Sequence, residues 1–169
     1  MSARVLTSIE EYLATSYEDG DREYIDGEIV EINVGEIDHS AIQTLIAAWF
    51  MVRRKELGVF PLVEVRTQVS PSRYFLPDIA VLLGDRPSGR ILTAPPFLIV
   101  EVLSPEDRMG RIGRKIDDYL RFGVRFIWAM DPETRNGHIY TADRRFVVEN
   151  GVFWTEDPRI ELDLAELAV

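Results

Sequence analysis

The stretch Phe97-Leu98-Ile99-Val100-Glu101-Val102-Leu103 places one carboxylate inside a run of apolar residues. Pro95-Pro96 precedes the run and Ser104-Pro105 follows it, and this pattern predicts a buried central strand. A carboxylate that loses its water in such a strand must be paired with a positive group, protonated or bound to a cation. We therefore expect a positive charge beside Glu101.

A second apolar segment, residues 74–83, carries Asp78 in a similar way, directly after Pro77. Side chains alternate along a strand, so Glu101 shares a face with Ile99. If the two strands are neighbours, Asp78 and Glu101 converge on one point. Such a pair suits Mg²⁺ or Mn²⁺, because Mg²⁺ takes oxygen ligands and usually one or two protein carboxylates.

Lys115 is the positive group that we expect to meet these carboxylates. Residues 105–122 predict a helix that Ser104 caps, and Lys115 flanks its apolar stripe. A helix that returns over the sheet brings this side chain within reach of Glu101. The other lysine of the sequence, Lys55, fits the ordinary end of a surface helix.

The rest of the chain predicts helices and strands that alternate. We expect a helix from Thr7 to about Tyr17, a hairpin over 23–33, and a long helix from Asp38 or Ser40 to Gly58. Further strands are predicted at 59–69 and 124–130. The pattern predicts an α/β fold in which helices flank a central mixed sheet, after an N-terminal helix and β-hairpin. We expect one domain over residues 1–169.

Composition limits the classes of function. The 169 residues include no cysteine, which excludes disulfides, thiolate metal sites and a cysteine nucleophile, and only two histidines. The first residues lack the apolar stretch of a signal peptide, and no run suggests a membrane span, so we expect a cytoplasmic protein without a membrane partner. The net charge of −10 counts against nucleic acid, although residues 104–125 carry six bases and four acids.

The ordered set of Pro77-Asp78, Glu101-x-Leu103 and a lysine on the next helix resembles the PD-(D/E)xK restriction-endonuclease-like superfamily. Leu103 stands where the lysine of the usual pattern would be. The chain is most similar to the Uma-type bacterial branch, over about residues 20 to 140. The matching positions are Glu23, Asp26-Gly27-Glu28, His39, Pro77-Asp78, Glu101 to Pro105, Lys115, Tyr119, Gly123-Val124, Trp128 and Asp131-Pro132.

This resemblance implies a restriction-endonuclease-like core and a metal-dependent endonuclease that acts on DNA as a homodimer. Asp78 and Glu101 would hold Mg²⁺ or Mn²⁺, with the backbone carbonyl of Val102 as a further oxygen ligand, and Lys115 would complete the catalytic set. The resemblance also makes Glu23 a candidate outer ligand. His39 and Glu28 are secondary candidates.

Simpler structural alternatives stay open for each of these residues. Asp78 could cap a turn, and Glu101 could be a buried partner of Lys115 or of an arginine without any metal. Lys115 could simply flank the apolar stripe of its helix and extend its ammonium to water. Glu23 and Glu28 could be surface acids of a hairpin, and His39 could be structural. The protein could likewise be a degenerate member that only binds or assembles, or a hydrolase of RNA or another phosphate ester. A basic groove would favour a polynucleotide, whereas an acidic or closed surround would favour a smaller ester.

Overall fold

The computed structural model describes residues 6–18, 20–32, 36–104 and 112–167. Its helices are α1 (Ile9–Ala14), α2 (Ile37–Leu57) and α3 (Ile112–Phe122), and a 3-10 turn follows at Leu164–Glu166. The strands are β1 (Arg22–Ile25), β2 (Glu28–Glu31), β3 (Val59–Val63), β4 (Thr67–Ser70), β5 (Arg73–Phe75), β6 (Ile79–Leu83), β7 (Leu98–Val102), β8 (Phe126–Met130), β9 (Gly137–Tyr140), β10 (Arg145–Val148), β11 (Val152–Thr155) and β12 (Ile160–Asp163).

The central sheet has six strands in the order β10-β9-β8-β7-β6-β3. β7 and β8 are parallel, while the other neighbouring strands are antiparallel, so the sheet is mixed as predicted. Every residue of β7 and β8 is buried, which explains why both strands are continuous apolar runs. The predicted central strand around Glu101 is therefore confirmed.

Helices α2 and α3 pack in two different apolar clusters. Alternate residues of β7 contribute to one cluster or to the other. Val100 packs in one cluster with Ile46 of α2, and Ile99 packs in the other with Tyr119 of α3. Because side chains alternate along a strand, Glu101 has the parity of Ile99 and points towards α3. This parity decides which helix can supply the charge that Glu101 needs.

A smaller sheet contains the predicted hairpin, in the order β2-β1-β5-β4. The hairpin turns at Asp26 and Gly27, whose φ angles of 51° and 96° fit the two positive-φ positions of a tight hairpin turn. Arg73 of β5 binds Asp26 at 2.7 Å and Asp118 of α3 at 2.8 Å. These ion pairs connect the small sheet to the helix that carries Lys115.

Two predicted strands are wrong in their boundaries. The segment 59–69 forms both β3 and β4, and the segment 74–83 forms both β5 and β6. Pro77 lies between β5 and β6, where the chain passes from the small sheet to the large one. A break at this position is expected, because proline cannot donate a hydrogen bond to a neighbouring strand. Asp78 therefore lies just before β6 and not inside a strand.

The start of α2 is at Ile37, and Gly58 ends it as predicted. The predicted start of the third helix, near Pro105, lies outside the described residues, as do Arg108 and Arg111. None of the helices in the described segments has the length and hydrophobicity of a membrane span.

Replacing Gly137 by alanine should destabilise the protein strongly. Gly137 opens β9 opposite Met130, and a Cβ atom there would lie 2.1 Å from the carbonyl oxygen of Ala129 and 2.9 Å from Cα of Met130. The strands would have to separate, so we expect a loss of about 3 kcal/mol or more in the free energy of unfolding, measured by urea titration.

Gly113→Ala is the matched control, because a Cβ atom at this helical position meets nothing within 4 Å. It should leave stability unchanged or raise it by up to about 1 kcal/mol. Equal effects of the two substitutions would contradict the described approach of β9 to β8.

Candidate functional site

Asp78 and Glu101 lie at one end of two neighbouring strands. β6 and β7 pair with Ile79 opposite Val100, and one further step of this register places Asp78 across from Glu101. The amide of Val102 donates a 2.6 Å hydrogen bond to Oδ2 of Asp78. The predicted adjacency of the two strands is thus confirmed, and this hydrogen bond holds the aspartate at the end of β7.

Lys115 lies between two buried carboxylates. Its Nζ atom is 3.1 Å from Oε1 of Glu101 and 2.8 Å from Oε1 of Glu23. The Tyr119 hydroxyl donates a 2.7 Å hydrogen bond to Oε1 of Glu101. Lys115 and Tyr119 are four residues apart and so share one face of α3. The expected positive charge beside Glu101 is present, and α3 supplies it.

The two hairpin glutamates that the family pattern includes, Glu23 and Glu28, lie in different environments. Glu23 is 7% exposed, and its Oε1 accepts a 3.0 Å hydrogen bond from the amide of Leu76. The alternative that Glu23 is a surface acid is therefore wrong. Glu28 lies in β2 and does not line the cavity that contains Asp78 and Glu101. The structure brings Glu23 into the site and leaves Glu28 outside it.

Two side chains of α2 contact Asp78. Nε2 of His39 is 3.4 Å from Oδ2 of Asp78. Nδ1 of His39 is buried and has no hydrogen-bond partner among the described residues. Gln43, one turn further along α2, donates hydrogen bonds to the Asp78 carbonyl at 3.2 Å and to Glu64 at 3.1 Å.

Sequence reasoning missed two polar contacts of the site. Gln43 was not predicted, although its position four residues after His39 places both side chains on one face of a helix. Tyr119 is not among the predicted site residues; it is fully buried in the core, and its hydroxyl also binds Glu101. Its spacing of four residues from Lys115 was the signal that could have revealed this second role.

Burial and neighbouring charges determine the protonation of Glu101 and Lys115. Burial raises the pKa of Glu101, Lys115 lowers it, and the carboxylates of Asp78 and Glu23 raise it again, so that the pKa is about 8. Burial lowers the pKa of Lys115, but Glu101 and Glu23 outweigh this effect, and the pKa lies above its ordinary value. Lys115 is therefore an ammonium group at neutral pH.

His39 also favours its charged form. The hydrogen bond to Asp78 raises the pKa of His39 above its usual value, while burial opposes this rise. The ring therefore carries a proton over a wider pH range than a free imidazole would. A protonated His39 places a second positive charge beside Asp78.

A cavity of about 620 Å³ contains these groups. Its lining is acidic, with three basic side chains, Arg73, Arg114 and Lys115, besides His39. Nine carboxylates line it: Glu23, Glu31, Glu36, Asp38, Glu64, Asp78, Glu101, Asp118 and Glu133. The described part of the lining thus has an excess of negative charge that a bound cation would reduce.

The donor set at the centre of the cavity fits a hard divalent cation. Within the described residues, the contacts to the Asp78 carboxylate reach Oδ2 alone, which leaves Oδ1 available. Those residues form no group of three or more His, Asp or Glu side chains placed to hold a metal. Two carboxylates suffice for Mg²⁺, which keeps several of its waters.

The profile of a protein family, Uma2, described as "Putative restriction endonuclease", matches residues 9–169. The chain belongs to the Uma2 family. No curated protein sequence matches this Uma2 chain.

A solved structure from Anabaena variabilis, described as "a putative nuclease belonging to DUF820", is similar to this Uma2 protein. The TM-score is 0.73 at 22% identity, and the similarity covers 88% of each chain. The predicted family and the restriction-endonuclease-like fold are both confirmed.

Without divalent cations, this protein should lose stability as the pH rises from 6.5 to 7.5. Glu101 has a pKa of about 8 in the folded state against 4.5 for a free carboxyl, so the folded state holds a proton that the unfolded state has lost. Stability should fall by about 1 kcal/mol per pH unit in this window. The raised pKa of His39 acts in the same direction above pH 6.5.

Urea midpoints of the wild type and of Glu101→Gln measure this dependence. The substitution removes the titrating carboxyl, so the slope should become shallow and retain only the contribution of His39. The lowered pKa of His138 acts mainly below pH 6.5 and opposes the fall in stability only in the lower part of the window. A wild-type midpoint that is constant or rises with pH would contradict the assignment.

Proposed function

We propose that this Uma2 protein is a metal-dependent endonuclease that hydrolyses phosphodiester bonds in DNA. The observation that carries the proposal is the meeting of Asp78, Glu101 and Lys115 in one cavity, with Lys115 Nζ 3.1 Å from Glu101. Family membership supports a nuclease in general. A DNA substrate agrees with the expected cytoplasmic location.

Asp78 and Glu101 would hold Mg²⁺ or Mn²⁺, with Glu23 as an outer partner and the Val102 carbonyl as a further ligand. When bound, such a cation lowers the pKa of a coordinated water and offsets developing negative charge. Asp78 is suited to this role because the Val102 amide fixes one oxygen at 2.6 Å and the other is available. Glu101 is suited because it is 5% exposed and would be costly to ionise without a cation.

Lys115 would act as a charge and a hydrogen-bond donor. In hydrolysis a water oxygen forms a bond to phosphorus while one ester P–O bond breaks, and negative charge grows on the phosphate oxygens. Because the pKa of Lys115 is raised, the side chain cannot take the proton of this water at neutral pH. Its ammonium can orient the water or stabilise the charge on the phosphate oxygens.

His39 would position the metal ligand Asp78. Its Nε2 atom lies 3.4 Å from the carboxylate oxygen that Val102 also contacts. Two groups that hold one oxygen of Asp78 restrict the rotation of the carboxylate and direct its other oxygen away. The buried Nδ1 atom of His39 is also available to a water or to a phosphate oxygen.

Arg114 is the basic residue that fits a phosphate of the substrate backbone. It lines the cavity on α3, is exposed, and has no ion-pair partner among the residues that the structure describes. A free guanidinium can bind phosphate through two parallel hydrogen bonds. Arg73, by contrast, is engaged by Asp26 and Asp118.

The acidic lining favours a second candidate, a hydrolase of RNA or of a smaller phosphate ester. Nine lining carboxylates repel a polyanion unless cations or a basic surface compensate them. A degenerate member that binds without turnover would have the same fold. Metal binding and cleavage assays separate these possibilities.

Calorimetry with MgCl₂ or MnCl₂ should detect binding to the wild type that Glu101→Gln removes, because the amide is a poorer ligand and carries no charge. Glu149→Gln is the matched control, since Glu149 is exposed and lies outside the cavity lining. It should bind the cation like the wild type. Absence of binding in all three folded proteins, also with an oligonucleotide present, would exclude the metal site.

Lys115→Met should lower the rate of phosphodiester cleavage by about 100-fold or more, because it removes a charge that faces the reacting phosphate. Cleavage of plasmid, single-stranded DNA, RNA and a small aryl phosphodiester would be compared in the presence of Mn²⁺. Metal binding that persists in Lys115→Met would show that the site is intact. Cleavage of the small ester alone would favour the second candidate, and cleavage of no substrate would favour the degenerate one.

A further inference from the structure

Asp78 lies between β5 and β6, where the chain passes from the small sheet to the large one. Pro77, directly before it, has no amide hydrogen to donate. A carboxylate that binds a cation in one geometry needs neighbours that orient it. The contacts of the Asp78 main chain therefore affect where its carboxylate can lie.

Two groups hold the carbonyl of Asp78. The Nε2 atom of Gln43 donates a 3.2 Å hydrogen bond to this oxygen, and the amide of Glu64 donates another at 3.3 Å. The same Nε2 atom of Gln43 donates a 3.1 Å hydrogen bond to Oε1 of Glu64. Gln43 thus uses both of its amide hydrogens, one on each acidic residue. These bonds join α2 to the ends of two neighbouring strands.

Strand register places Glu64 beside Asp78. The antiparallel register of β3 and β6, continued by one residue, puts Glu64 across from Asp78. On its other side Asp78 lies across from Glu101 of β7. Three acidic residues therefore form a row across β3, β6 and β7, and Gln43 of α2 connects two of them.

Glu64 has an unusual backbone conformation for a glutamate. Its φ angle is 48°, in the left-handed region that residues other than glycine rarely adopt. The side chain is exposed and lines the cavity. Glycine would adopt this conformation without a steric cost, so a glutamate at this position points to a functional role.

Gln43 is a buried polar residue on a largely apolar face. It is 7% exposed, and its neighbours on the inner face of α2, Ile42 and Ile46, belong to an apolar cluster. A buried amide costs free energy unless its donors are bonded. Both donors of Gln43 are bonded, and both bonds reach acidic residues that line the cavity.

We propose that Gln43 and Glu64 are positioning residues for the cation site, an inference that rests on the proposed function. Gln43 binds the carbonyl of Asp78 and is itself held by the carboxylate of Glu64. Asp78 then keeps one carboxylate oxygen on the amide of Val102 and directs the other towards the cation. In this arrangement Glu64 acts through Gln43 and does not bind the cation.

Calorimetry with MnCl₂ tests the effect of Gln43 on the cation. Gln43→Leu should weaken binding by about 10- to 100-fold, the usual effect of removing a group that orients a metal ligand. Gln68→Leu is the matched control, because Gln68 is partly buried in β4 and lies outside the cavity lining. It should bind like the wild type. Equal affinities of Gln43→Leu and the wild type would overturn the proposal.

Two substitutions of Glu64 separate positioning from direct binding of the cation. Glu64→Gln keeps an oxygen that accepts the hydrogen bond from Gln43, so its affinity should stay within about threefold of the wild type. Glu64→Gly lacks this acceptor and should bind the cation about tenfold more weakly. Both variants remove the charge, so the difference between them isolates the hydrogen bond. A loss in Glu64→Gln as large as in Glu64→Gly would identify a direct ligand and overturn the assignment.

The backbone of Glu64 provides a readout of stability. Glu64→Gly should leave the urea midpoint unchanged or raise it, because glycine adopts a φ angle of 48° without a steric cost. Arg135→Gly is the matched control, since Arg135 has a φ angle of 60° and lies outside the cavity lining, and it should leave the cation affinity unchanged. A parallel loss of stability and affinity in Glu64→Gly would make the role of Glu64 structural and overturn the proposal.

The amide of Val102 reports on Asp78 without any cation. It donates to Oδ2 of Asp78 at 2.6 Å, whereas the next amide, that of Leu103, donates to the carbonyl of Met130 at 2.7 Å. In Gln43→Leu, exchange of the Val102 amide with D₂O, followed by NMR, should become at least about tenfold faster, and exchange of the Leu103 amide should stay the same. Equal acceleration of both amides, or an unchanged Val102 amide, would overturn the proposal.

Failure of the proposed function can be told apart from failure of this inference. A wild type that binds no cation would contradict the proposed function. The Val102 amide would still decide whether Gln43 holds Asp78, because its exchange is measured in the protein alone.

Discussion

The buried contact between Glu101 and Lys115 is the constraint on which the rest of the site depends. Glu101 lies in the middle of a fully buried strand, and its parity along β7 directs it towards α3. Lys115 reaches it from α3 at 3.1 Å, and Tyr119 adds a hydrogen bond from the next turn. Removal of Glu101 would leave the Lys115 ammonium with fewer partners in the interior, and removal of Lys115 would leave the buried Glu101 without its positive neighbour. The strand and the helix are therefore held in one relative position.

The contact between Glu101 and Lys115 leaves the site with more acidic than basic side chains. Lys115 contacts both Glu23 and Glu101, and among the described residues Asp78, which lies across from Glu101, forms an ion pair with His39 alone. A protein that evolved only for stability would gain more from apolar side chains of similar volume than from these five polar groups. The proposed cation-binding role would give these carboxylates a function, and burial is the main cause of the raised pKa of Glu101.

The acidic cavity and the nuclease family have to be reconciled. A restriction-endonuclease-like fold predicts a polyanionic substrate, yet the described lining repels one. A divalent cation would neutralise the centre of the cavity, and Arg114, which has no ion pair with another described residue, lines the cavity at its side. Such a cation would supply from outside the chain the positive charge that the described lining lacks.

Local sequence was sufficient where chemistry and spacing act within a few residues. The apolar run around Glu101, the hairpin at Asp26-Gly27 and the end of α2 at Gly58 all follow from patterning and turn geometry. The meeting of Glu101 and Lys115 could be predicted because an acid inside a buried apolar strand needs a positive neighbour. The strand boundaries near Pro77 could not be predicted from local sequence, because the chain there passes between two sheets. Which sheet a strand joins depends on residues far away in the sequence.

Only the tertiary structure decided how the remaining polar groups are arranged. Glu23 becomes a buried partner of Lys115, and Glu28 stays outside, because strand pairing and not residue type decides which hairpin acid enters the cavity. Gln43 and His39 meet Asp78 through the packing of α2 against the sheet. These contacts join residues far apart in sequence, and packing of the whole fold selects them. A single sequence carries the chemistry of the site, but three-dimensional packing decides which groups share it.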